Sequence, residues 1–383
     1  MNCRLCGDET VSILDLGEMA LTGVFPKTKE QVVPTGRLDF RKCVSCGLAQ
    51  LGKTQPLELM YGDNYGYRSG LNASMVRHLK AKVEHLAKMV PLKPSDVVLD
   101  IGSNDGTTLG FFPECVKVGI DPTSHKFAKF YQPGIIRFTE FFSEDVFRRV
   151  AQKAKVITSI AMLYDLEEPQ SFVRQIANVL HPEGVWHTEQ SYLPLMMART
   201  AYDTICHEHI EYYGLKQIKR MADCAGLVIV EVSFNEINGG SFAITLAHKG
   251  GPFKACELPK ENLGTEVFYA FANRVRKHKD RLHCALGMLR GATYGLGAST
   301  KGNVLLQYCG IKLPGIADVN PDKIGCFTPG SLVPIVSEEV GRACADNFLV
   351  FPWHFREDMT KREAKFLERG GKLIFPLPNI ETV

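Results

Sequence analysis

From Asn72 onward the apolar residues Met75, Val76, Leu79, Val83, Leu86 and Val90 recur at helical spacing, with Arg77, Lys80, Lys82 and Glu84 between them. That period marks one face of an amphipathic helix, and Pro91 and Pro94 stop it. The pattern then becomes an apolar run at 97–99, followed by Asp100, the turn Gly102-Ser103-Asn104-Asp105-Gly106 and a helix start at Thr107. Run, turn and helix start form the opening of a nucleotide-binding βα unit. Runs at 116–120 and 156–162 predict further strands. Residues 170–180 predict a helix, and Pro182-Glu183-Gly184 a turn into a strand from Val185. Segments 227–234 and 241–248 read as neighbouring strands around Asn238-Gly239-Gly240. Alternating units closed by a late hairpin predict a doubly wound sheet.

After Gly250-Gly251-Pro252 the pattern restarts. A charged helix over 261–290 leads to Gly295-Leu296-Gly297, and then strands fall at 315–319, 348–351 and 373–376. A second, smaller Rossmann-like α/β domain is expected. The first ~60 residues have no helical period and too little apolar surface to fold alone, so a metal staple is expected there. Cys3/Cys6 and Cys43/Cys46 form two CxxC turns, each followed by glycine, and together they suit one tetrahedral four-cysteine structural zinc site. The expected division is a zinc module over 1–70, an α/β domain over 71–250 and a second over 251–383.

Composition narrows the function classes. A chain of 383 residues with 45% hydrophobic and 23% charged residues is globular and needs two or three cores. Forty-five Lys+Arg against 42 Asp+Glu leave +3, with no basic stripe, which argues against a nucleic-acid partner. No apolar run reaches the ~18 residues of a membrane span and no signal segment is seen, so a cytoplasmic protein with reduced thiols is expected.

Three nucleotides compete for the first glycine-rich turn. Neither Gly106 nor Gly302 is followed by Lys-Ser/Thr, so the Walker pattern fails, and the first turn also lacks G-x-G-x-x-G. Asp100-x-Gly102-x-x-x-Gly106, with Asp121 at the tip of the next strand to accept from ribose hydroxyls, fits S-adenosylmethionine better. The second turn, Gly295-Leu296-Gly297 with Asp318 downstream, leaves three readings open. It suits a dinucleotide, a substrate diphosphate held by Ser299, Thr300 and Lys301, or simple packing.

The densest chemistry lies in Tyr202-Asp203-Thr204-Ile205-Cys206-His207-Glu208-His209-Ile210-Glu211-Tyr212-Tyr213. His207 and His209 stand two apart, so this is no zincin helix. On an extended loop they point opposite ways, one into a cleft and one anchoring the loop. Glu208 shares His209's direction only if the loop curls. A second polar-aromatic cluster, with Tyr61, Tyr65, Tyr67, Arg68 and Ser69, is a candidate lid, substrate contact or packing element.

Taken in order, the CxxC…CxxC module, Tyr67-Arg68-Ser69, the DIGSNDGTTL turn, the HEH loop and the GGS turn at 239–241 resemble the bacterial nucleotide-deoxysugar C-methyltransferases. The resemblance covers essentially the whole chain. It implies a class I methyltransferase sheet in the middle domain and methylation of a nucleotide-diphosphate 4-keto-6-deoxysugar at the carbon beside the ketone, C3 favoured over C5. It implies zinc at Cys3, Cys6, Cys43 and Cys46, and S-adenosylmethionine at Asp100, Gly102, Asn104, Gly106 and Asp121. It makes His209 the general base, Glu208 its partner and Tyr67 the substrate-site phenol. Tyr65, Arg68, Tyr202, His207, Asn238, Gly240, Ser299 and Lys301 are then the candidate substrate contacts. Family members carry Tyr where Cys206 stands and His near Met162, so here Tyr164 or Tyr202 is expected to supply the aromatic hydroxyl. The rival readings are an RNA-binding methyltransferase or module and a nicotinamide-dependent oxidoreductase. A monomer or small homo-oligomer is expected.

Overall fold

The computed structural model describes residues 1–60 and 67–383. Tyr61 and Tyr65 lie outside the described residues. The N-terminal segment, which shows no helical period, builds a sheet. Its strands Thr10–Ala20, Thr35–Cys43 and Ala49–Leu51 pair antiparallel, and Glu211–Tyr212 adds a fourth strand from far along the chain. The period-two signal was present at Gly36, Leu38 and Phe40, which are buried while Thr35, Arg37 and Asp39 alternate outward.

The apolar face of this sheet is not a private core. Phe40 meets Tyr212 edge-on at 5.0 Å, and Phe268 and Phe271 of the helix Thr265–Gly287 at 6.1 and 6.0 Å. Burying each such ring contributes roughly 1.5–3 kcal/mol. One apolar cluster therefore joins the zinc-module sheet, the segment around Tyr202 and the C-terminal α/β layer.

The middle sheet has seven strands. They run in the order Leu227–Asn235, Ser241–His248, Leu180–Ser191, Ala154–Ile160, Val97–Ile101, Val116–Ile120, Ile136–Phe138. Only Ser241–His248 runs against its neighbours. Register explains both faces. Val98, Val156, Val185 and Ala247 pack with Val83 and Leu86 of the helix Ala73–Met89. Leu99, Ile157 and Trp186 point the other way, onto Phe172, Ile176 and Met221. Asn72 caps the helix through Ser74 N at 3.0 Å. The expected break at Pro182-Glu183-Gly184 is instead a bulge inside one strand, since Ala154 pairs with Leu180 and Val156 with Val185.

The C-terminal sheet has six strands, ordered Ile335–Ser337, Ile316–Asp318, Thr293–Leu296, Asn347–Val350, Lys372–Phe375, Glu381–Thr382. All pairings are parallel except the last. Among the described residues no helix is long and apolar enough to cross a membrane.

Candidate active site

The four cysteines converge. Cys3 and Cys46 sulfurs are 3.5 Å apart, Cys6 and Cys43 3.4 Å, and all four lie within 4.8 Å of one another. A tetrahedral zinc centre with four sulfur ligands and bonds of about 2.3 Å requires sulfur separations of about 3.8 Å, so the donor set fits zinc. Leu5 N donates to Cys3 and Cys46 N to Cys43, each at 3.4 Å, as the CxxC turns require. Four sulfurs leave no position for a substrate. The site is structural.

At the first glycine-rich turn, Gly102, Asn104 and Gly106 all have left-handed φ, 72°, 50° and 76°. The turn is held by carboxylates. Asp121 Oδ2 accepts from Asn104 N at 2.8 Å, while its Oδ1 accepts from Thr123 N and Oγ1, both at 2.6 Å. Oδ1 has both lone pairs engaged, and Oδ2 keeps one for a ribose hydroxyl. Asp100 accepts from Thr158 Oγ1 at 2.6 Å, and burial pushes its carboxyl up to about 7. The buried acid at the strand tip and the open left-handed turn fit S-adenosylmethionine.

Residues 67–70 are tied onto this turn rather than onto the HEH loop. Asn104 Oδ1 accepts from Ser69 N at 2.9 Å, and its Nδ2 donates to Tyr67 O at 3.0 Å. Asp105 Oδ2 accepts from Gly70 N at 2.9 Å and lies 3.4 Å from Arg68 Nε, whose guanidinium covers Phe130 at 4.0 Å. The Asn104 side chain is therefore engaged in holding this strap. Tyr67 is 51% exposed.

The HEH loop curls. Through 201–213 every residue is buried except Glu208 and His209. His207 is the anchor: its Nε2 donates to Gly36 O at 3.0 Å, and Nδ1 accepts from Thr22 N at 3.3 Å. Burial lowers its pKa. Both ring nitrogens are thus engaged by the zinc-module segment, away from the other candidate substrate contacts. His209 takes the opposite tautomer. Its Nδ1 donates to Thr204 O at 3.0 Å, which leaves the Nε2 lone pair as the basic position. Burial, and then the charge of Lys301, lower its pKa to about 3. Burial also raises the Glu208 carboxyl, which accepts from Thr22 Oγ1 at 3.3 Å. A Cβ at position 23 would stand 2.1 Å from Glu208 Oε1, so any larger residue there displaces the Glu208 side chain.

Two contacts seat this loop between the glycine-rich turns. On the donor side, Met162 lies 3.5 Å from the Cβ position of Gly102. Two residues later the Tyr164 ring packs on His209 with centroids 4.2 Å apart. On the other side, Thr300 Oγ1 lies 3.9 Å from the same Gly23 point that Glu208 approaches. Lys301 Nζ donates to Asn238 O at 2.7 Å, and Trp353 Nε1 to Asp203 Oδ2 at 2.8 Å. Trp353 and His354 carry no sequence signal of a site. They lie 150 residues or more beyond Asp203, and only folding brings them to it.

Three further candidate substrate contacts are engaged within the protein. Tyr202 is fully buried, and its hydroxyl meets His278 Nδ1 at 3.0 Å and Cys309 Sγ at 3.2 Å, so Tyr164 is the tyrosine packed beside His209. Gly240 is a packing turn: its N–H donates to Ile237 O, its carbonyl accepts from Tyr192 N, and a Cβ would press on Leu195. Ser299 Oγ caps its own helix, Thr300–Cys309, through Gly302 N at 3.0 Å. At Gly297, where a dinucleotide pyrophosphate would approach, Pro352 stands 2.8 Å from the Cβ position.

A sheet of this strand order, with an acid-rimmed turn and the loop carrying His209 beside it, is that of a methyltransferase with an attached zinc module. Three family models match in succession: a zinc binding domain over residues 3–61, a methyltransferase domain over 72–232 and a C-methyltransferase C-terminal domain over 236–378. The C-methyltransferase NovU of Streptomyces niveus is 26% identical over 98% of this chain and 95% of its own. Among solved structures the chain is similar to an O-methyltransferase family protein from Burkholderia thailandensis (20% identity, 46% of this chain and 58% of that one, TM-score 0.35). It is similar in the same degree to the YcgJ protein from Bacillus subtilis (16%, 46% and 100%, TM-score 0.35). These two likenesses are too loose to support any reading. The chain thus carries matches to a zinc binding domain, a methyltransferase domain and a C-methyltransferase C-terminal domain in succession, and it is an S-adenosylmethionine-dependent methyltransferase.

Proposed function

We propose that the protein methylates a nucleotide-diphosphate 4-keto-6-deoxysugar at the carbon beside its ketone, C3 in preference to C5. One observation supports this most. In an otherwise buried loop, only Glu208 and His209 keep accessible surface, and they do so between the two glycine-rich turns. A base aimed into a cleft is what carbon methylation needs, because the attacking carbon must first lose a proton.

In this reading residues 71–250 hold the donor, 251–383 take the nucleotide end of the sugar, and 1–70 brace the HEH loop through His207. Asp100, Gly102, Asn104, Gly106 and Asp121 form the donor pocket. S-adenosylmethionine supplies an electrophilic methyl there. His209 Nε2 takes the proton, and the Thr204 carbonyl fixes the tautomer that makes this nitrogen available. Glu208, its carboxyl raised by burial, positions the sugar by hydrogen bonding. Tyr164 walls the base, and Tyr67 and Arg68 close the donor side. The C3 preference and the sugar class rest on the family resemblance.

The test is a panel of thymidine-, guanosine- and cytidine-diphosphate 4-keto-6-deoxyhexoses incubated with S-adenosylmethionine. Gain of one methyl by mass, with the carbon located by NMR, is expected for at least one. No methylation across the panel, with donor binding intact, would remove the sugar assignment.

A further inference from the structure

We propose that Lys301 is a further catalytic residue: its ammonium donates to the enolate oxygen that forms as His209 removes the proton. This rests on the keto-sugar reading above and extends it.

Lys301 stands on the first turn of the helix Thr300–Cys309, where the second glycine-rich turn meets the HEH loop. Of its three N–H donors, one meets Asn238 O at 2.7 Å. Among the described residues it has no ion-pair partner. The ionisable groups around it are Asp203, Cys206, His209 and His354. Asp203 Oδ2 accepts from Trp353 Nε1, its Oδ1 is buried without a hydrogen-bond partner, and burial raises its carboxyl above the ordinary value while the charge of Lys301 lowers it. Cys206 is a fully buried thiol whose pKa is raised well above the ordinary value. His354 Nδ1 is buried without a partner. Lys301 is half-buried, and its one hydrogen-bond acceptor is a neutral carbonyl, so it keeps N–H donors to offer an arriving anion.

Which anion follows from the neighbour. After burial, Lys301's charge is the largest influence on His209. Two cations side by side would oppose proton uptake by His209 unless negative charge develops between them. Enolisation supplies that charge. The C–H pair becomes the C=C bond, the carbonyl π pair moves onto oxygen, and the proton goes to His209 Nε2. A permanent diphosphate is less well served here, because the Ser299 hydroxyl that would join Lys301 on it caps Gly302. A preorganised donor on a developing oxyanion is worth roughly a hundred- to a thousandfold in rate.

The experiment follows deuterium wash-in from heavy water into thymidine-diphospho-4-keto-6-deoxyglucose, with S-adenosylhomocysteine in the donor site. In Lys301→Met, exchange at saturating sugar is expected to fall by about a hundredfold or more, with KM nearly unchanged and S-adenosylhomocysteine affinity intact by calorimetry. Lys301→Arg should recover part of the loss. Full exchange with a raised KM would overturn the proposal and make Lys301 a diphosphate ligand. A second readout needs no sugar. By NMR of labelled histidine, the His209 imidazole should titrate at higher pH in Lys301→Met, and no movement overturns the proposal. If wild type exchanges no deuterium while His209 does move, the sugar assignment has failed and the Lys301–His209 pairing has not.

Discussion

The two glycine-rich turns are built alike and differ in the charges gathered around them. In the first, Asp121 accepts from Asn104 N at 2.8 Å and Thr123 N at 2.6 Å; in the second, Asp318 accepts from Ala298 N at 2.6 Å and Asn320 N at 2.7 Å. The same strand, turn, helix and acid recur. What surrounds them differs. Asp100, Asp105 and Asp121 rim the first turn, whereas Lys301 and Lys323 flank the second, with Lys323 Nζ on Ala298 O at 2.7 Å. In the proposed reaction the two turns serve opposite ends, a cationic donor on one side and developing negative charge on the other. The HEH loop lies between them, pinned by His207 to the zinc module.

The largest way to break this arrangement is to remove its brace. Cys43→Ser should lose zinc and with it the four-stranded sheet that includes Glu211–Tyr212, two residues past His209. Structural zinc carries roughly 10–16 kcal/mol in small metal-folded modules. Methylation should fall to background while the middle domain still binds donor. Metal analysis paired with calorimetry checks this, and full activity without zinc would contradict it.

Next comes the donor turn alone. Hydrogen bonds to a charged acceptor are worth roughly 1.5–3 kcal/mol each. Asp121→Ala should weaken S-adenosylmethionine by about ten- to a hundredfold, while proton exchange in the sugar persists at saturating S-adenosylhomocysteine. Loss of exchange at saturation would mean that the two turns are not separable.

Gly23→Ala acts between the turns. Its new Cβ would stand 2.1 Å from Glu208 Oε1, so Glu208 must swing away. A drop of about tenfold in kcat is expected, with donor affinity unchanged. Steady-state kinetics at saturating donor reads it, and an unchanged kcat would separate Glu208 from the sugar.

The smallest effect is one of pH. His209's folded pKa of about 3 lies below the ordinary 6.5, so the unfolded chain binds the proton first on acidification. Its penalty is absent above about pH 6.5 and grows as pH falls toward 3. His209→Gln should therefore gain thermal stability relative to wild type as pH drops from 7 to 5. A constant difference across that range would place His209 in water rather than in a desolvated cleft.

Much of this was legible in the chain. The αβ units, the four-cysteine set and the HEH stretch carry local patterns of period, spacing and density, and Val116–Ile120 falls where its run placed it. The N-terminal strands were harder to see, because two bulges in Thr10–Ala20 break its alternation. Tyr202 shows the other kind of limit. Its neighbours in sequence are site residues, but a one-turn 3-10 helix, Tyr202–Thr204, rotates its ring into the core against His278. Lys301, Asp203 and His354 share no sequence pattern at all. Only tertiary packing makes them one cluster.

The central claim is that His209 removes a carbon-bound proton before the methyl moves. Deuterium wash-in with the spent donor isolates that step. Wild type in heavy water with S-adenosylhomocysteine should place deuterium at the carbon that is methylated when S-adenosylmethionine is supplied. In His209→Ala, exchange and methylation should fall together by about a hundredfold or more, while His207→Ala should mainly lose stability. Exchange at the wild-type rate in His209→Ala would contradict the account and move the base to another group, Glu208 or Tyr67 first.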